Sequence, residues 1–118
     1  MVMSFQNQQV LNFLLARGVV YTFRVKKRKH LGKDWINAKR GLPKIANVNV
    51  HFVKDVKVMR DLEPYIENSG FGSLQEWLDA ILDLAGETVY NGLIYDDKHR
   101  SGVLYRVSLA FGGFASRR

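Results

Sequence analysis

The sequence predicts an α+β fold that is built as a single domain over residues 1–118. Three observations lead to this expectation. The apolar residues change from a helical to an alternating spacing at Val19, and they alternate again after Ile45 and after Gly102. Ser73 and Glu76 form a capping box at the start of a second helical stripe. The chain has 118 residues, of which 47% are hydrophobic, which suffices for one core and is too little for two.

The N-terminal part is predicted to contain a helix followed by a strand. Ser4 is expected to cap a helix over residues 6–17, and Gly18 is expected to end it. The strand should have an apolar side that faces the core and a more polar side. The apolar side comprises Val19, Tyr21, Phe23 and Val25, and the other side comprises Val20, Thr22, Arg24 and Lys26.

Residues 27–44 are predicted to form a long loop. They contain Gly32, Gly41 and Pro43, show no sustained periodicity and carry most of the charge. A helical turn is expected around Trp35–Lys39. A loop of this length in a small domain usually serves a function.

The middle of the chain is predicted to form a strand over residues 45–58 and then two helices. A bulge or bend is expected near Lys54, where the alternation breaks. A short helix over residues 61–68 is interrupted by Pro64. The helix that begins after Ser73 should end at Gly86 and bury a stripe of apolar residues.

The C-terminal part is predicted to end in a strand. Asn91-Gly92 and Ser101-Gly102 indicate turns, the last strand runs from Val103 to Phe111, and residues 112–118 are expected to form a flexible tail. The predicted core draws on all these elements. Its members are Val19, Tyr21, Phe23, Val50, Phe52, Trp77, Leu78, Ile81, Tyr105 and Val107.

The distribution of charge favours a polyanionic partner. The chain carries a net charge of +7, but Arg17 to Lys44 alone hold ten basic residues against one acid, a net charge of +9. The remainder, with eight basic and ten acidic residues, carries −2. An electropositive face on a nearly neutral body is typical of nucleic-acid binding. A membrane surface fits less well, since the basic segment lacks the apolar helical stripe of an interfacial helix.

The sequence also excludes several classes of site. The absence of cysteine excludes disulfides, thiolate metal sites and a cysteine nucleophile. Neither the dinucleotide-binding glycine pattern nor the phosphate-binding loop is present, the three histidines lack metal-ligand spacing, and we expect no cofactor and no metal. Residues 1–16 resemble neither a secretory signal nor a membrane span, so a cytoplasmic location is expected.

Candidate nucleic-acid contacts cluster in the basic segment. Trp35 either stacks on a base or anchors its loop to the core, and His30 is a second stacking candidate. Thr22 and Arg24 lie on one strand face, where they are either solvated or line a cleft in which Arg24 binds an anion. The predicted contacts are Arg24, Lys26, Lys27, Arg28, Lys29, His30, Lys33, Trp35, Lys39 and Arg40.

An ordered set of motifs resembles the ASCH domain of the PUA-like superfamily. The set comprises the helix that ends at Gly18, Tyr21-Thr22-Phe23-Arg24 with the basic Lys26–His30 tract, the Val-rich strand at 47–53, Ser69-Gly70-Phe71-Gly72-Ser73-Leu74-Gln75-Glu76-Trp77-Leu78, and Gly102-Val103-Leu104-Tyr105-Arg106-Val107. The resemblance covers residues 5–111. It implies a small mixed β-barrel with flanking helices, a cleft on one side of the barrel and a link to RNA.

The resemblance also implies an enzymatic alternative. Some ASCH-like proteins are amidohydrolases that act on acetylated cytidine, and others are described as ribonucleases. Thr22 and Arg24 match the family's threonine and arginine, but the family lysine falls on Val19 and the family glutamate falls on Ser69, with Glu67 as the nearby substitute. A catalytic site would therefore have to use Thr22, Arg24 and Glu67, and the general acid–base pair lacks an obvious counterpart.

RNA or another nucleic acid is thus the predicted partner, bound through a basic face and a polar cleft on the barrel. Two alternatives stay open. One is an ASCH-type enzyme that acts on a modified nucleoside or on RNA. The other is a protein-interaction module for an acidic partner. The sequence leaves the oligomeric state open.

Overall fold

A computed structural model describes residues 2–95 and 101–110 of the chain. The described elements are β1 (Val2–Ser4), α1 (Gln8–Arg17), β2 (Val19–Arg24), β3 (Gly32–Asn37), β4 (Ala46–Val56), a 3₁₀ helix (Met59–Asn68), α2 (Leu74–Ala85), α3 (Glu87–Ile94) and β5 (Gly102–Leu109). The fold is therefore α+β, as predicted. The predicted tail at 112–118 and the predicted strand end at Phe111 lie outside the described residues.

The five strands form one curled, mixed sheet that makes a half-barrel. Its strand order is β1-β3-β4-β5-β2, in which β1 runs parallel to β3 and every other neighbouring pair is antiparallel. The two edge strands are thus β1 and β2. The half-barrel stays open between them, and this opening positions the candidate site.

Hydrophobic residues pack on both faces of the sheet, because successive side chains of a strand point to opposite sides. On the concave face, α1 covers a core that includes Met3, Leu14, Ile36, Val48 and Val107. On the convex face, the 3₁₀ helix, α2 and α3 cover a second core around β2, β5 and the end of β4. This second core includes Val56, Leu62, Trp77, Leu78, Ile81, Leu93 and Leu104.

The predicted orientation of β2 is wrong. The concave face holds Val20 and Thr22, which are buried, whereas Tyr21 and Phe23 are half-buried against the second core and Val19 is half-buried. Helices on the convex side account for the error, since they make both faces of this strand partly apolar. Arg24, expected either beside solvent or in a cleft, points toward the interior of the half-barrel and lines a cleft there.

The predicted loop at 27–44 contains a strand, β3, in place of the expected helical turn. The sequence does not show the alternation of apolar and polar residues typical of a strand, because two buried positions of β3 are polar. Asp34 is 8% exposed and Asn37 is 1% exposed. Asp34 forms an ion pair with Arg28, and Asn37 donates to the carbonyl of Leu42 at 3.1 Å, so each buried polar group has a partner.

Three local predictions in the other elements also need correction. Asn7, in place of Ser4, caps α1, and its side chain accepts from the backbone N–H groups of Gln9 and Val10. Asn91-Gly92 lies within α3, whose Leu93 is buried in the second core, so tertiary packing overrides this turn signal. Phe52 is 39% exposed because β3 pairs with β4 only as far as Val50, so the paired strand beside Phe52 is β5 alone.

The locally encoded features are confirmed. Gly18 ends α1 in the left-handed conformation, with φ of 84°, and Ser73 caps α2 by accepting from the N–H of Glu76. The register of β4 against β5 shifts between Phe52 and Lys54, which is the predicted bulge. Within the described residues, no helix is both long enough and apolar enough to cross a membrane.

Candidate ligand-binding cleft

A cleft of about 310 Å³ lies at the opening between the two edge strands. Its walls come from the β1–α1 connection, the end of β2, the turn before α2 and one side of α2. Most of the lining is apolar or aromatic. The lining residues are Ser4, Phe5, Gln6, Asn7, Val10, Thr22, Phe23, Arg24, Val25, Phe71, Trp77, Ala80, Ile81, Leu84 and Ala85.

Arg24 supplies the charge in this cleft. Its guanidinium carbon lies 4.9 Å from the centroid of the Phe5 ring, a cation–π contact. The pKa of Arg24 is lowered to about 10, mainly by burial and also by the nearby charge of Arg28, while Tyr105 opposes the shift. Arg24 therefore stays charged at neutral pH in surroundings that solvate it poorly.

The Arg24 guanidinium donates no hydrogen bond to any residue in the described part of the chain. The hydroxyl of Thr22, which is 8% exposed, likewise forms no side-chain hydrogen bond there. A guanidinium carries five N–H donors, and Arg24 is half-buried, so the donors that solvent does not reach lack an acceptor, which costs free energy. Both groups line the cleft, and both are available to a ligand.

Backbone pairing sets the positions of the two cleft edges. The N–H of Phe5 donates to the carbonyl of Asn37 at 2.9 Å, and the Ser4 hydroxyl donates to the Asn37 side-chain oxygen at 2.7 Å. On the opposite edge, β2 pairs with β5 so that Thr22 lies opposite Tyr105. Phe5 and Arg24 are therefore held by different strands and meet across the opening.

The turn before α2 forms the third wall, and it packs closely on α1. Gly70 has φ of +91°, and a Cβ at this position would lie 3.2 Å from the Cα of Val10. Gln9 donates to the carbonyl of Gly70 at 2.8 Å and to the carboxylate of Glu76 at 2.7 Å. These contacts place the Phe71 ring in the cleft, stacked on Trp77 with 6.3 Å between centroids.

The positions that the resemblance singled out are divided between the cleft and the rest of the fold. Thr22 and Arg24 line the cleft, whereas Val19, Ser69 and Glu67 do not. Ser69 is fully buried and holds the turn, because its hydroxyl donates to the carbonyl of Ile66 and accepts from the N–H of Phe71. Glu67 is exposed on the 3₁₀ helix.

The described lining of the cleft offers few groups for acid–base chemistry. Among the described lining residues, Arg24 is the one with an ionisable side chain, and the lining contains no carboxylate, amine or imidazole. The described ranges also contain no group of three histidine, cysteine, aspartate or glutamate side chains that would hold a metal ion. Binding and orienting a ligand is therefore the chemistry that these residues supply.

The basic segment Lys26–His30 follows directly after the cleft. Lys26, Lys27 and Lys29 are exposed, and Lys27 places its ammonium 4.8 Å from the centroid of the Phe52 ring. His30 is exposed as well, and its Nε2 donates to the carbonyl of Lys33 at 2.9 Å.

Arg28 differs from its neighbours because it contacts two residues of the sheet. Its guanidinium pairs with the buried carboxylate of Asp34, and its backbone N–H donates to the Tyr105 hydroxyl. These contacts anchor the basic segment to β3 and β5. They leave the flanking lysines to face solvent.

The other predicted contact residues lie away from the cleft. Lys33 and Trp35 are on β3, on the side opposite to Asp34, and Lys39 and Arg40 are exposed beyond the end of β3. Trp35 is half-buried and belongs to neither hydrophobic core of the described residues. The structure thus divides the predicted contacts between the cleft, the basic segment, the convex face of the sheet and the turn that follows β3.

Sequence reasoning missed Phe5 and Asn7 in the cleft wall. They lie in a run of glutamine and asparagine with no periodicity, and the one available signal was Phe5, an aromatic residue within that polar run. Phe71 was noted within the turn motif, but its role as a wall of the cleft required the packing of the turn before α2 on α1.

Comparisons with known proteins leave the interpretation to the geometry. A scan against protein-family models and searches of curated proteins and solved structures all gave no match.

Proposed function

We propose that the protein binds single-stranded RNA and holds one nucleotide in the cleft. The observation that carries the proposal is the Arg24 guanidinium, which lies in an aromatic-walled cleft without a hydrogen-bond acceptor in the described chain. A base or phosphate oxygen would accept its hydrogen bonds and balance its charge. Ligand binding would thus remove an electrostatic cost that the protein carries alone.

The shape of the cleft supports a flat ring as the occupant. Phe5, Phe23, Phe71 and Trp77 contribute aromatic surface around a volume of about 310 Å³. Pockets of this size bind small molecules, and single-stranded RNA is commonly recognised by unstacked bases that lie against aromatic side chains. Thr22 adds a hydroxyl that can donate or accept at the base edge.

The charges next to the cleft support a polyanion as the larger ligand. The exposed ammonium groups of Lys26, Lys27 and Lys29 lie two to five residues beyond Arg24 and are anchored through Arg28. Phosphates that flank a bound nucleotide would meet these groups, and neutralising them releases counterions. This arrangement joins the predicted basic face to the predicted cleft.

The same reasoning extends the family resemblance into a proposal. We infer that the half-barrel with its cleft is a PUA-like domain of the ASCH type that serves RNA binding. No observation favours catalysis in the cleft, since the described lining offers no acid–base partner for Arg24. Nor does any observation favour an acidic protein over RNA, because the aromatic walls suit a planar base better than a carboxylate side chain.

The test compares Arg24→Lys with Arg17→Lys. Lysine keeps the charge but cannot form two parallel hydrogen bonds, so Arg24→Lys should weaken binding of a labelled single-stranded RNA about tenfold. Arg17 is exposed at the end of α1, outside the cleft, and its conversion to lysine should leave binding within about twofold. Fluorescence anisotropy measures both, and thermal melting checks folding.

Two results would overturn the proposal. Equal affinities for the Arg24→Lys and Arg17→Lys proteins would remove the cleft from the binding site. Turnover of acetylcytidine by the parent protein, lost in Arg24→Lys, would replace binding with amidohydrolase chemistry.

A further inference from the structure

We propose that the convex face of the sheet is a second contact surface, on which the same RNA strand continues after it leaves the cleft. This inference rests on the proposed function. The face is formed by outward side chains of β3, β4 and β5 that belong to neither hydrophobic core. These side chains are Lys33, Trp35, Asn47, Asn49, His51, Arg106 and Ser108, which we call the convex patch.

The strand register arranges the convex patch in rows. Lys33 lies opposite Asn49, which lies opposite Ser108 on β5. His51 lies opposite Arg106 in the next row, and Trp35 lies opposite Asn47 on the other side. Directly opposite residues have Cβ atoms roughly 5 Å apart, so the seven side chains form one continuous surface.

The charges of the convex patch have one sign. Lys33 and Arg106 are exposed cations, His51 faces Arg106 directly, and no member of the patch is acidic. Opposite charges across neighbouring strands stabilise a sheet, whereas groups of like sign do not. Because the patch has no acidic side chains to pair with its cations, it is suited to a negatively charged partner.

The polar side chains of the patch are also available for contacts. The side chains of Asn47, Asn49, His51, Arg106 and Ser108 form no hydrogen bond with the described residues. Amide side chains can pair with base edges through both a donor and an acceptor. The patch therefore offers phosphate contacts and base contacts together.

Aromatic rings border the convex patch on two sides. Trp35 lies at one end, half-buried and outside the cores. Tyr21, which pairs with Arg106, lies at the other end, and its ring packs against Tyr65 with 4.9 Å between centroids. Bases stack on such rings without sequence preference, which favours a single-stranded nucleic acid over an acidic protein.

The basic segment provides a path between the two surfaces. It leaves the end of β2 at Arg24, contacts Tyr105 of β5 through Arg28 and Phe52 of β4 through Lys27, and enters β3 at Gly32. Lys26, Lys27 and Lys29 therefore lie between the cleft and Lys33. A strand bound in the cleft can reach the convex patch while it stays in contact with cations.

The test compares two double variants that each remove two positive charges. Lys33→Gln with Arg106→Gln changes the convex patch, and Lys57→Gln with Arg60→Gln changes exposed residues outside it. Both are measured with a twelve-nucleotide RNA and with a trinucleotide that fills the cleft alone. Trp35→Phe is the third variant, compared with the parent by tryptophan fluorescence.

The patch variant should bind the long RNA at least about tenfold more weakly and lower the slope of log affinity against log salt by about 1.4. It should bind the trinucleotide as the parent does. The control pair should lose no more than about threefold. The long RNA should quench the fluorescence of the parent, and this quenching should be reduced in Trp35→Phe.

Equal losses in the two double variants would overturn the convex patch and leave the cleft standing. The patch variant could lose affinity for the long RNA while Arg24→Lys leaves trinucleotide affinity unchanged. This pair of results would support the convex patch and overturn the cleft. Failure of the parent to bind either RNA would overturn both.

Discussion

Arg24 lies over the ring of Phe5, with 4.9 Å between the guanidinium carbon and the ring centroid, and this contact spans the opening between the edge strands β2 and β1. The two residues are 19 positions apart in sequence and are held by different strand pairings. Both residues line the cleft, where the buried ring of Phe5 supports the guanidinium and leaves its N–H donors to a ligand.

Replacing Arg24 with methionine should stabilise the protein while it weakens RNA binding by at least about tenfold. Burial lowers the pKa of Arg24 to about 10, so the folded state binds this proton less tightly than the unfolded state does. The charge therefore opposes folding at neutral pH, and this opposition fades as the pH rises through about 10. After subtraction of the lost cation–π contact with Phe5, we expect a gain of about 1 kcal/mol in the free energy of unfolding.

Urea unfolding at pH 7 measures this effect, with Arg17→Met as the control for removal of an exposed arginine. A stabilised protein that binds RNA more weakly is the expected combination. Destabilisation of Arg24→Met by more than about 1 kcal/mol would mean that Arg24 has a structural role, which contradicts its assignment as a group held for a ligand.

Replacing Asp34 with asparagine should destabilise the protein by about 2 kcal/mol. The buried carboxylate pairs with Arg28 and accepts from the N–H of Trp35 at 2.8 Å, so its neutralisation leaves the Arg28 charge without its partner. The basic segment should also become more mobile. Urea unfolding measures the first effect, and hydrogen exchange of the amide of Arg28, which donates to Tyr105, measures the second.

A double-mutant cycle with Arg28→Gln isolates the pair. The two single changes should be less than additive. Strict additivity would show that Arg28 and Asp34 act independently, which would remove the anchor of the basic segment.

Replacing Gly70 with alanine should destabilise the protein and weaken RNA binding. The residue has φ of +91°, and an added Cβ would lie 3.2 Å from the Cα of Val10, so α1 or the turn must move. Gly41→Ala is the matched control, because Gly41 has the same φ and a Cβ there would meet nothing within 4 Å. We expect Gly41→Ala to cost about 1 kcal/mol and Gly70→Ala to cost about 2 to 3 kcal/mol.

The two glycine variants should also differ in their affinity for RNA. Displacement of the turn moves Phe71 in the cleft wall, so only Gly70→Ala should bind RNA more weakly, as measured by anisotropy. Similar stability losses and unchanged affinity in both variants would mean that the turn does not shape the cleft.

The parts of the fold that local sequence encodes could be predicted, whereas the parts that depend on long-range packing could not. Ser73 caps the start of α2 and Gly86 ends it, both through contacts with nearby backbone. The broken alternation near Lys54 indicated the bulge. The strand β3 escaped prediction because Asp34 occupies a buried position, which its pairing with Arg28 stabilises. The orientation of β2 was missed because helices distant in sequence cover Tyr21 and Phe23.

The candidate site was predictable to a similar degree. Thr22 and Arg24 were singled out as a possible cleft pair, and the structure brings them together with Phe71. Phe5 was missed, since it lies in a polar run and meets Arg24 only through the pairing of β1 with β3. The division of the basic residues into an anchor, Arg28, and its exposed neighbours depended on the burial of Asp34.

The central claim is that a nucleotide of the bound RNA contacts Arg24 inside the cleft. Nuclear magnetic resonance of the Arg24 Nε–Hε group during titration with a short single-stranded RNA tests it most directly. We expect this resonance to shift saturably, in step with the backbone amides of Thr22 and Phe71. Shifts confined to Lys26, Lys27 and Lys29, with the Arg24 resonance unchanged at saturation, would contradict the claim and place the RNA on the basic segment alone.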